Sequence, residues 1–212
     1  MKTDDLIAAL SVDSHAKVMP LDRAWLLACV AAVVLAALVF FAMLGFRSDI
    51  AAATGSGRFL FKFVATIALA GSALIAIRAA SRPEGADGKT ISLLALAPAM
   101  LVVAIVLELL AVPAEQWRTR MIGTNSLLCL TFIPLIGLAP LAISIATLKY
   151  GAPRRPVLGG AIAGVFSGGV AATFYAAHCV DDSPLFVAVW YTLAVLTLAA
   201  LGAIGGKLAA RW

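Results

Sequence analysis

Residues 157–206 read VLGGAIAGVFSGGVAATFYAA, then HCVDDSP, then LFVAVWYTLAVLTLAALGAIGG. Two apolar runs of about 20 residues, each long enough to cross a hydrocarbon core as a helix, thus flank a short polar break. Backbone polar groups find no partners in lipid, so each run is expected to be a helix with internal hydrogen bonds. This stretch predicts a membrane hairpin with a polar tip.

The rest of the chain is as apolar as this hairpin. Of its 212 residues, 63% are hydrophobic and 13% are charged, and the mean hydropathy is +1.03. Soluble domains are usually about 45–50% apolar. We therefore predict an all-α integral membrane bundle of six transmembrane helices over residues 24–212, preceded by a cytoplasmic tail at 1–23. The predicted spans are 24–46, 59–77, 91–112, 124–147, 157–177 and 185–206.

The tail is polar and acidic where a secretory signal would be basic, so we expect it to stay attached. Its aspartates suit the positive end of a helix dipole, and its leucine and isoleucine side chains fall on one face of a helical wheel. This pattern predicts a short amphipathic helix that orders on a partner or at the bilayer surface, with an unstructured tail as the alternative. The candidate partner-binding residues are Asp4, Asp5, Leu6, Ile7 and Leu10.

Lysine and arginine residues are distributed unevenly between the two sets of connections. Eleven fall on the side of the termini and five on the opposite side. The positive-inside rule therefore predicts cytoplasmic termini, with the first, third and fifth loops in the periplasm of a bacterium. The sequence pI near 9.4 is explained by these short loops, so no direct binding of nucleic acid is expected. Trp25 and Trp212 would anchor helices at the inner interface, and Trp117 and Trp190 at the outer one.

The outer loops carry the reactive side chains. Cys179 lies in the polar break, and Cys129 lies about one turn into span four, so both face the compartment where disulfides persist. One prediction is a disulfide between them, either structural or switchable. The alternative is a soft divalent metal ion bound transiently by thiolates and imidazole, and no other cofactor is expected. The candidate sensing residues are Cys129, His178, Cys179, Asp181 and Asp182, of which Cys129, His178 and Cys179 are also the candidate metal ligands.

Other classes of protein fit the sequence less well. Charged residues are absent from the middle of every predicted span, which argues against an ion-coupled transporter. A disulfide-forming enzyme would need a closely spaced cysteine pair, which the chain lacks, so an enzyme is not expected. A small-solute transporter or channel remains an alternative, as does a structural membrane protein with a bridged outer face.

Glu108, near the outer end of span three, is either an interface residue or a member of the outer polar cluster.

Glycines recur every four residues late in the chain, at Gly160, Gly164 and Gly168 in span five and at Gly202 and Gly206 in span six. Small residues at this spacing predict close helix packing, either within the bundle or between two copies.

Several features together resemble the NrsF-type anti-sigma factors of proteobacteria. They are the opening Met1-Lys-Thr-Asp-Asp-Leu-Ile7, the six spans, Cys129 in span four, and the run His178-Cys-Val-Asp-Asp-Ser-Pro-Leu-Phe186 with Trp190-Tyr191. The resemblance covers nearly the whole chain. It implies an inner-membrane protein that sequesters an extracytoplasmic-function (ECF) sigma factor and senses stress such as heavy metals through two periplasmic cysteines, which fall on Cys129 and Cys179. Assigning the sigma-binding surface to the tail is our inference from its apolar stripe.

Overall fold

The computed structural model describes Thr3 and residues 19–209. The predicted partner-binding residues Asp4, Asp5, Leu6, Ile7 and Leu10 lie outside this part of the chain, as does Trp212. Six helices of the described part are long and apolar enough to cross a membrane, which confirms the predicted all-α bundle.

The helices are α1 Leu21–Met43, α2 Ile50–Ala53, α3 Gly57–Ala80, α4 Gly88–Ala111, α5 Ala114–Ile122, α6 Ser126–Leu148, α7 Pro156–Ala176 and α8 Pro184–Ala209. The six spanning helices are α1, α3, α4, α6, α7 and α8, and their ends lie within three residues of the predicted ones. A 3₁₀ turn at Leu93–Ala95 interrupts α4, and a π turn at Val187–Tyr191 interrupts α8.

Local signals set the helix boundaries. The Ser183 hydroxyl accepts a hydrogen bond from the Leu185 N–H at 3.3 Å and so caps α8. Pro184 occupies the first position of that helix, where its missing N–H costs nothing. Gly45, with φ of 70°, turns the chain away after α1 in a conformation that other residues rarely adopt.

The central helix of the bundle is α7, which packs against α3, α6 and above all α8. A Cβ atom at Gly160 would overlap the α8 backbone at Gly202, and one at Gly164 would overlap it at Leu198. The glycine pattern therefore lets α7 and α8 approach closely within the chain, which is the first of its two predicted roles.

Helices α1 and α4 are peripheral and expose apolar side chains along their length, including Leu26 at 65%, Leu38 at 60% and Leu110 at 81%. Such surfaces fit contact with lipid chains. Trp25 differs from its predicted role as an interface anchor: it is buried in the bundle, where its Nε1–H donates to the Ser81 hydroxyl at 3.1 Å. An indole buried with its N–H satisfied packs as a core residue.

The bundle has two ends, which we name by their contents. The thiol end, where α1, α4 and α7 finish and α3, α6 and α8 begin, contains Cys129 and Cys179. The tail end is the opposite one, where α1 begins. There the Asp22 carboxylate accepts from Arg78 at 2.9 Å and Arg82 at 3.3 Å, which joins the start of α1 to the end of α3.

Candidate functional site

Two thiols are buried beneath the surface of the thiol end. Cys129 and Cys179 have no exposed surface, and both are free cysteines. Cys129 lies in the first turn of α6, where its N–H donates to the Asn125 carbonyl at 2.8 Å. Cys179 follows the end of α7, and its N–H donates to the Tyr175 carbonyl at 3.0 Å. The fold thus brings the two predicted outer cysteines to the same end of the bundle on different elements.

Asp181 connects the segments that carry the two thiols. Its carboxylate accepts from the N–H groups of Thr124 at 2.9 Å and Asn125 at 2.8 Å, immediately before α6. A carboxylate at this position also interacts favourably with the helix dipole. The Asp181 carbonyl oxygen lies 3.8 Å from the Cys179 sulfur, which donates to it. Gly123 makes this approach possible, because a Cβ there would overlap Asp181 and the Phe186 ring.

Three aromatic rings pack together near Cys179. The Tyr191 ring packs against those of Tyr175 and Phe186, with centroids 5.9 Å and 6.3 Å apart. The Tyr191 hydroxyl is buried and has no hydrogen-bond partner among the described residues. Burial raises the pKa of the Cys179 thiol, and the Lys62 ammonium partly opposes this. The raised pKa keeps the Cys179 thiol neutral. If the thiol lost its proton, the Tyr191 hydroxyl could donate a hydrogen bond to the thiolate.

Asp182 is the centre of a partly buried ion cluster beside Cys179. Its carboxylate pairs with the Lys62 ammonium at 2.6 Å and with the Arg47 guanidinium at 3.1 Å. The same two cations donate to the carbonyl oxygen of Cys179, at 2.8 Å and 3.2 Å. Arg47 also pairs with Asp49 at 2.6 Å and holds the pKa of that exposed carboxyl below its ordinary value. These contacts tie residues 177–183, which we call the thiol loop, to α3 and to the segment after α1.

Glu108 belongs to a second ion cluster at the same end. Its side chain is only 4% exposed and pairs with Arg58 at 2.8 Å and Arg120 at 3.0 Å. The Ser183 hydroxyl donates to it at 3.3 Å, which links α4 to the start of α8. Of the two sequence-based interpretations of Glu108, the structure supports membership of a polar cluster, which lies at the thiol end.

His178 is directed to the end of α1, where its Nδ1 lies 3.1 Å from the Gly45 carbonyl oxygen. Within the described residues, no three His, Cys, Asp or Glu side chains are grouped as they would be in a metal site. A site formed by Cys129, His178 and Cys179 is therefore not assembled in this conformation, and metal binding stays a prediction.

Sequence reasoning missed the cations and tyrosines of this site. Arg47, Arg58, Lys62 and Arg120 are among the five cations that the charge distribution assigns to the side opposite the termini, where they serve as topology determinants. Lys62 carried a usable signal, because it falls inside the predicted span 59–77, where an ionisable residue is costly and needs a partner. The tyrosines gave no such physical signal, since aromatic residues are common in membrane helices; Tyr191 entered only as part of the motif that carries the family resemblance.

The fold and the site together define a multi-pass helical membrane protein whose ionic and thiol groups are concentrated at one end. The family model described as "Negative regulator of sigma F", NrsF, matches residues 10–212. The chain is 34% identical to the "Anti-sigma-F factor NrsF" of Caulobacter vibrioides (strain NA1000 / CB15N), with 100% of both chains covered. It is 30% identical, with the same coverage, to the "Probable anti-sigma-F factor NrsF" of Azospira oryzae (strain ATCC BAA-33 / DSM 13638 / PS). No solved structure matches. The chain belongs to the NrsF family, and the resemblance inferred from its motifs is confirmed.

Proposed function

We propose that this protein is a membrane-bound anti-sigma factor that holds an ECF sigma factor at the tail end, in the cytoplasm of a bacterium, and releases it when the thiol end senses a heavy metal or an oxidant in the periplasm. Its full-length similarity to proteins named as anti-sigma-F factors supports the output. The arrangement of Cys129 and Cys179 supports the input. The proposal requires no catalysis, because binding and release of a partner are sufficient.

The observation that carries the sensing half is the placement of two free, buried thiols on different elements joined by Asp181. A disulfide or a metal ion that engages both sulfurs would therefore act on the loop that carries Cys179 and on the start of α6 together. Changing a two-state equilibrium from 1:99 to 99:1 takes about 5.5 kcal/mol, which a metal–thiolate site can supply and which lies just above the upper end of about 5 kcal/mol for a disulfide.

Two forms of the chemistry are open. In one, the sulfurs of Cys129 and Cys179 join in a disulfide, and two electrons and two protons pass to an oxidant such as a peroxide, which is reduced to water. In the other, both thiols lose protons and bind a soft divalent metal ion, with His178 as a further ligand after rearrangement. Gel-shift trapping with a maleimide polymer under denaturing conditions, after removal of metal by a chelator, distinguishes them: only the disulfide keeps both thiols blocked until it is reduced.

The sensing half is tested by replacing each thiol. Cys129→Ser or Cys179→Ser in full-length protein should abolish release of the sigma factor by cadmium ion or diamide while leaving membrane insertion intact. Cys29→Ser is the matched control, because Cys29 lies in α1 away from the thiol end and should be dispensable. A normal response of the Cys129→Ser/Cys179→Ser protein would show that the pair is purely structural.

The output half is tested on the tail. Leu6→Asp and Leu10→Asp should each release the sigma factor without inducer, because an unpaired charge cannot be buried in an apolar groove. Co-purification of the sigma factor with full-length protein from membranes is the measurement, and Ala8→Ser is a control at a small neighbouring residue. Retention of the sigma factor by both aspartate variants would place the binding surface elsewhere.

Orientation is tested by reporter fusions. The distribution of cations predicts a cytoplasmic signal after residue 85 and a periplasmic signal after Val180. A cytoplasmic signal at the second site would contradict a periplasmic sensor.

Transport receives less support from the structure. A cavity of about 290 Å³ lies between α3, α4, α7 and α8, and its described lining residues include no charged side chain. Such a cavity gives no polar path for an ion or a polar solute.

A further inference from the structure

Lys62 is a fully buried cation in the second turn of a membrane helix. Its ammonium pairs with Asp182 at 2.6 Å, donates to the Cys179 carbonyl at 2.8 Å and lies 5.5 Å from the centre of the Phe59 ring. Burying an ammonium is costly unless its hydrogen bonds are satisfied, so its position depends on these partners staying in place.

Arg47 makes the same two kinds of contact from a different element. Both cations reach the Asp182 carboxylate, and both reach the carbonyl oxygen of Cys179. If these cations served only to neutralise Asp182, contact with its carboxylate would be sufficient. Here the preferred position of each cation also depends on the backbone position of a thiol residue.

We propose that Lys62 is a positioning residue that keeps the Cys179 thiol buried and couples movement of Cys179 to α3. While Lys62 donates to the Cys179 carbonyl, the thiol loop stays in place and the Cys179 sulfur remains inaccessible to solvent. Chemistry that displaces Cys179 removes a hydrogen bond from a buried ammonium, and α3 must shift to satisfy it.

The other end of α3 contacts the start of α1. Ser81 accepts from the Trp25 indole, and Arg78 pairs with Asp22 one turn before it. The predicted partner-binding residues of the tail precede Leu21, where α1 begins. A displacement of α3 therefore has a direct physical route to the tail. This second step rests on the proposed function, whereas the control of thiol burial does not.

The first experiment measures alkylation of Cys179 by N-ethylmaleimide in membranes, using full-length protein in a Cys29→Ser/Cys129→Ser background. Lys62→Met and Asp182→Asn should each raise the rate by about tenfold or more, because removing one partner of a buried ion pair is strongly destabilising. Asp49→Asn is the matched control, since Asp49 also pairs with Arg47 but is 54% exposed and does not touch the thiol loop. Rates of Lys62→Met and Asp182→Asn equal to that of the control would overturn the proposal.

A double variant separates positioning from folding. Lys62→Met/Asp182→Leu replaces both charges with apolar groups, and Arg47, which also pairs with Asp182, keeps Asp49 as its partner, so no buried charge is left unpaired. Its elution in detergent should match that of the parent protein, yet its Cys179 should still react about tenfold faster, because no ammonium holds the Cys179 carbonyl. A return to the parent rate would show that Lys62 is only a counter-ion of Asp182, and the proposal would be wrong.

The second experiment tests coupling in protein with all its cysteines. At equal thiol modification by diamide, Lys62→Met should release at least about twofold less sigma factor than wild type. Equal release would refute coupling through α3 while leaving the alkylation result in force. Failure of the wild-type protein to bind any sigma factor would instead refute the proposed function, and the alkylation experiment would still decide whether Lys62 controls thiol burial.

Discussion

Replacing Asp181 with alanine tests whether one carboxylate holds the two thiol segments together. The wild-type carboxylate accepts from two backbone N–H groups and from the Asn125 side chain, at distances from 2.8 to 3.2 Å. Hydrogen bonds to a charged group contribute about 1.5–3 kcal/mol each, and the helix dipole adds about 0.3–1 kcal/mol. Asp181 is half-buried, so in the variant water would satisfy some of the N–H groups that lose the carboxylate. We expect Asp181→Ala to lower the free energy of unfolding by about 2–4 kcal/mol. Asp181→Asn keeps one acceptor oxygen and should cost about half as much.

The assay is unfolding of the purified protein in mixed micelles of a mild detergent and dodecyl sulfate, followed by tryptophan fluorescence and by labelling of Cys129. Trp190 is a local reporter, because its N–H donates to the Met121 carbonyl at 2.9 Å, at the end of α5. Asp87→Ala is the matched control. Asp87 also accepts from a helix N–H, that of Thr90 at 2.8 Å, but it is exposed at the tail end. The control should lower the free energy of unfolding less than Asp181→Ala does and leave Cys129 labelling unchanged. An Asp181→Ala protein with wild-type stability and wild-type Cys129 labelling would refute the reasoning.

Three further predictions concern packing, charge and pH. Gly164→Ala should lower the unfolding free energy by about 1–3 kcal/mol, because its Cβ meets the α8 backbone, whereas Gly71→Ala, into open space on α3, should raise it by up to about 1 kcal/mol. In the same micelle titration, Glu108→Gln should destabilise less than Asp182→Asn, because Arg58 and Arg120 are 44% and 34% exposed and can turn to water, whereas Lys62 cannot. The pKa of Cys179 is raised by burial, so the folded state retains a proton that the unfolded thiol loses. Wild-type stability should therefore fall relative to Cys179→Ser as the pH rises through about 9; parallel stability curves for the two proteins would contradict this.

The spanning helices could be predicted from the sequence because each must satisfy its own backbone in lipid. Long apolar runs such as 124–147 have few alternatives to a helix, and the observed α6 differs from that run by at most two residues at either end. The glycine pattern was informative for a related reason. At Gly160 and Gly164 the backbone of α8 takes the space of a side chain, and only small residues permit that approach.

The partners of the candidate site could not be predicted, because they depend on which ends of which helices meet. His178 and Cys179 are adjacent in sequence, yet His178 contacts Gly45 after α1 while Cys179 contacts Asp181. Asp181 and Asp182 look equivalent in the sequence, but one accepts from the backbone N–H groups just before α6 and the other pairs with Lys62 and Arg47. Adjacent side chains in an extended loop point in different directions, so their contacts are set by the surrounding helices.

The two ends of the bundle resist movement of α3 unequally. At the thiol end Lys62 is wholly buried, and displacing it would leave a charge without solvent or partner. At the tail end Asp22, Arg78 and Arg82 are each at least 47% exposed, and water screens exposed ion pairs of this kind so that they contribute little to stability. A shift of α3 imposed at the thiol end therefore meets little electrostatic resistance where α1 begins. The buried Trp25–Ser81 hydrogen bond is the stronger of the contacts there, so α1 should follow α3 rather than separate from it.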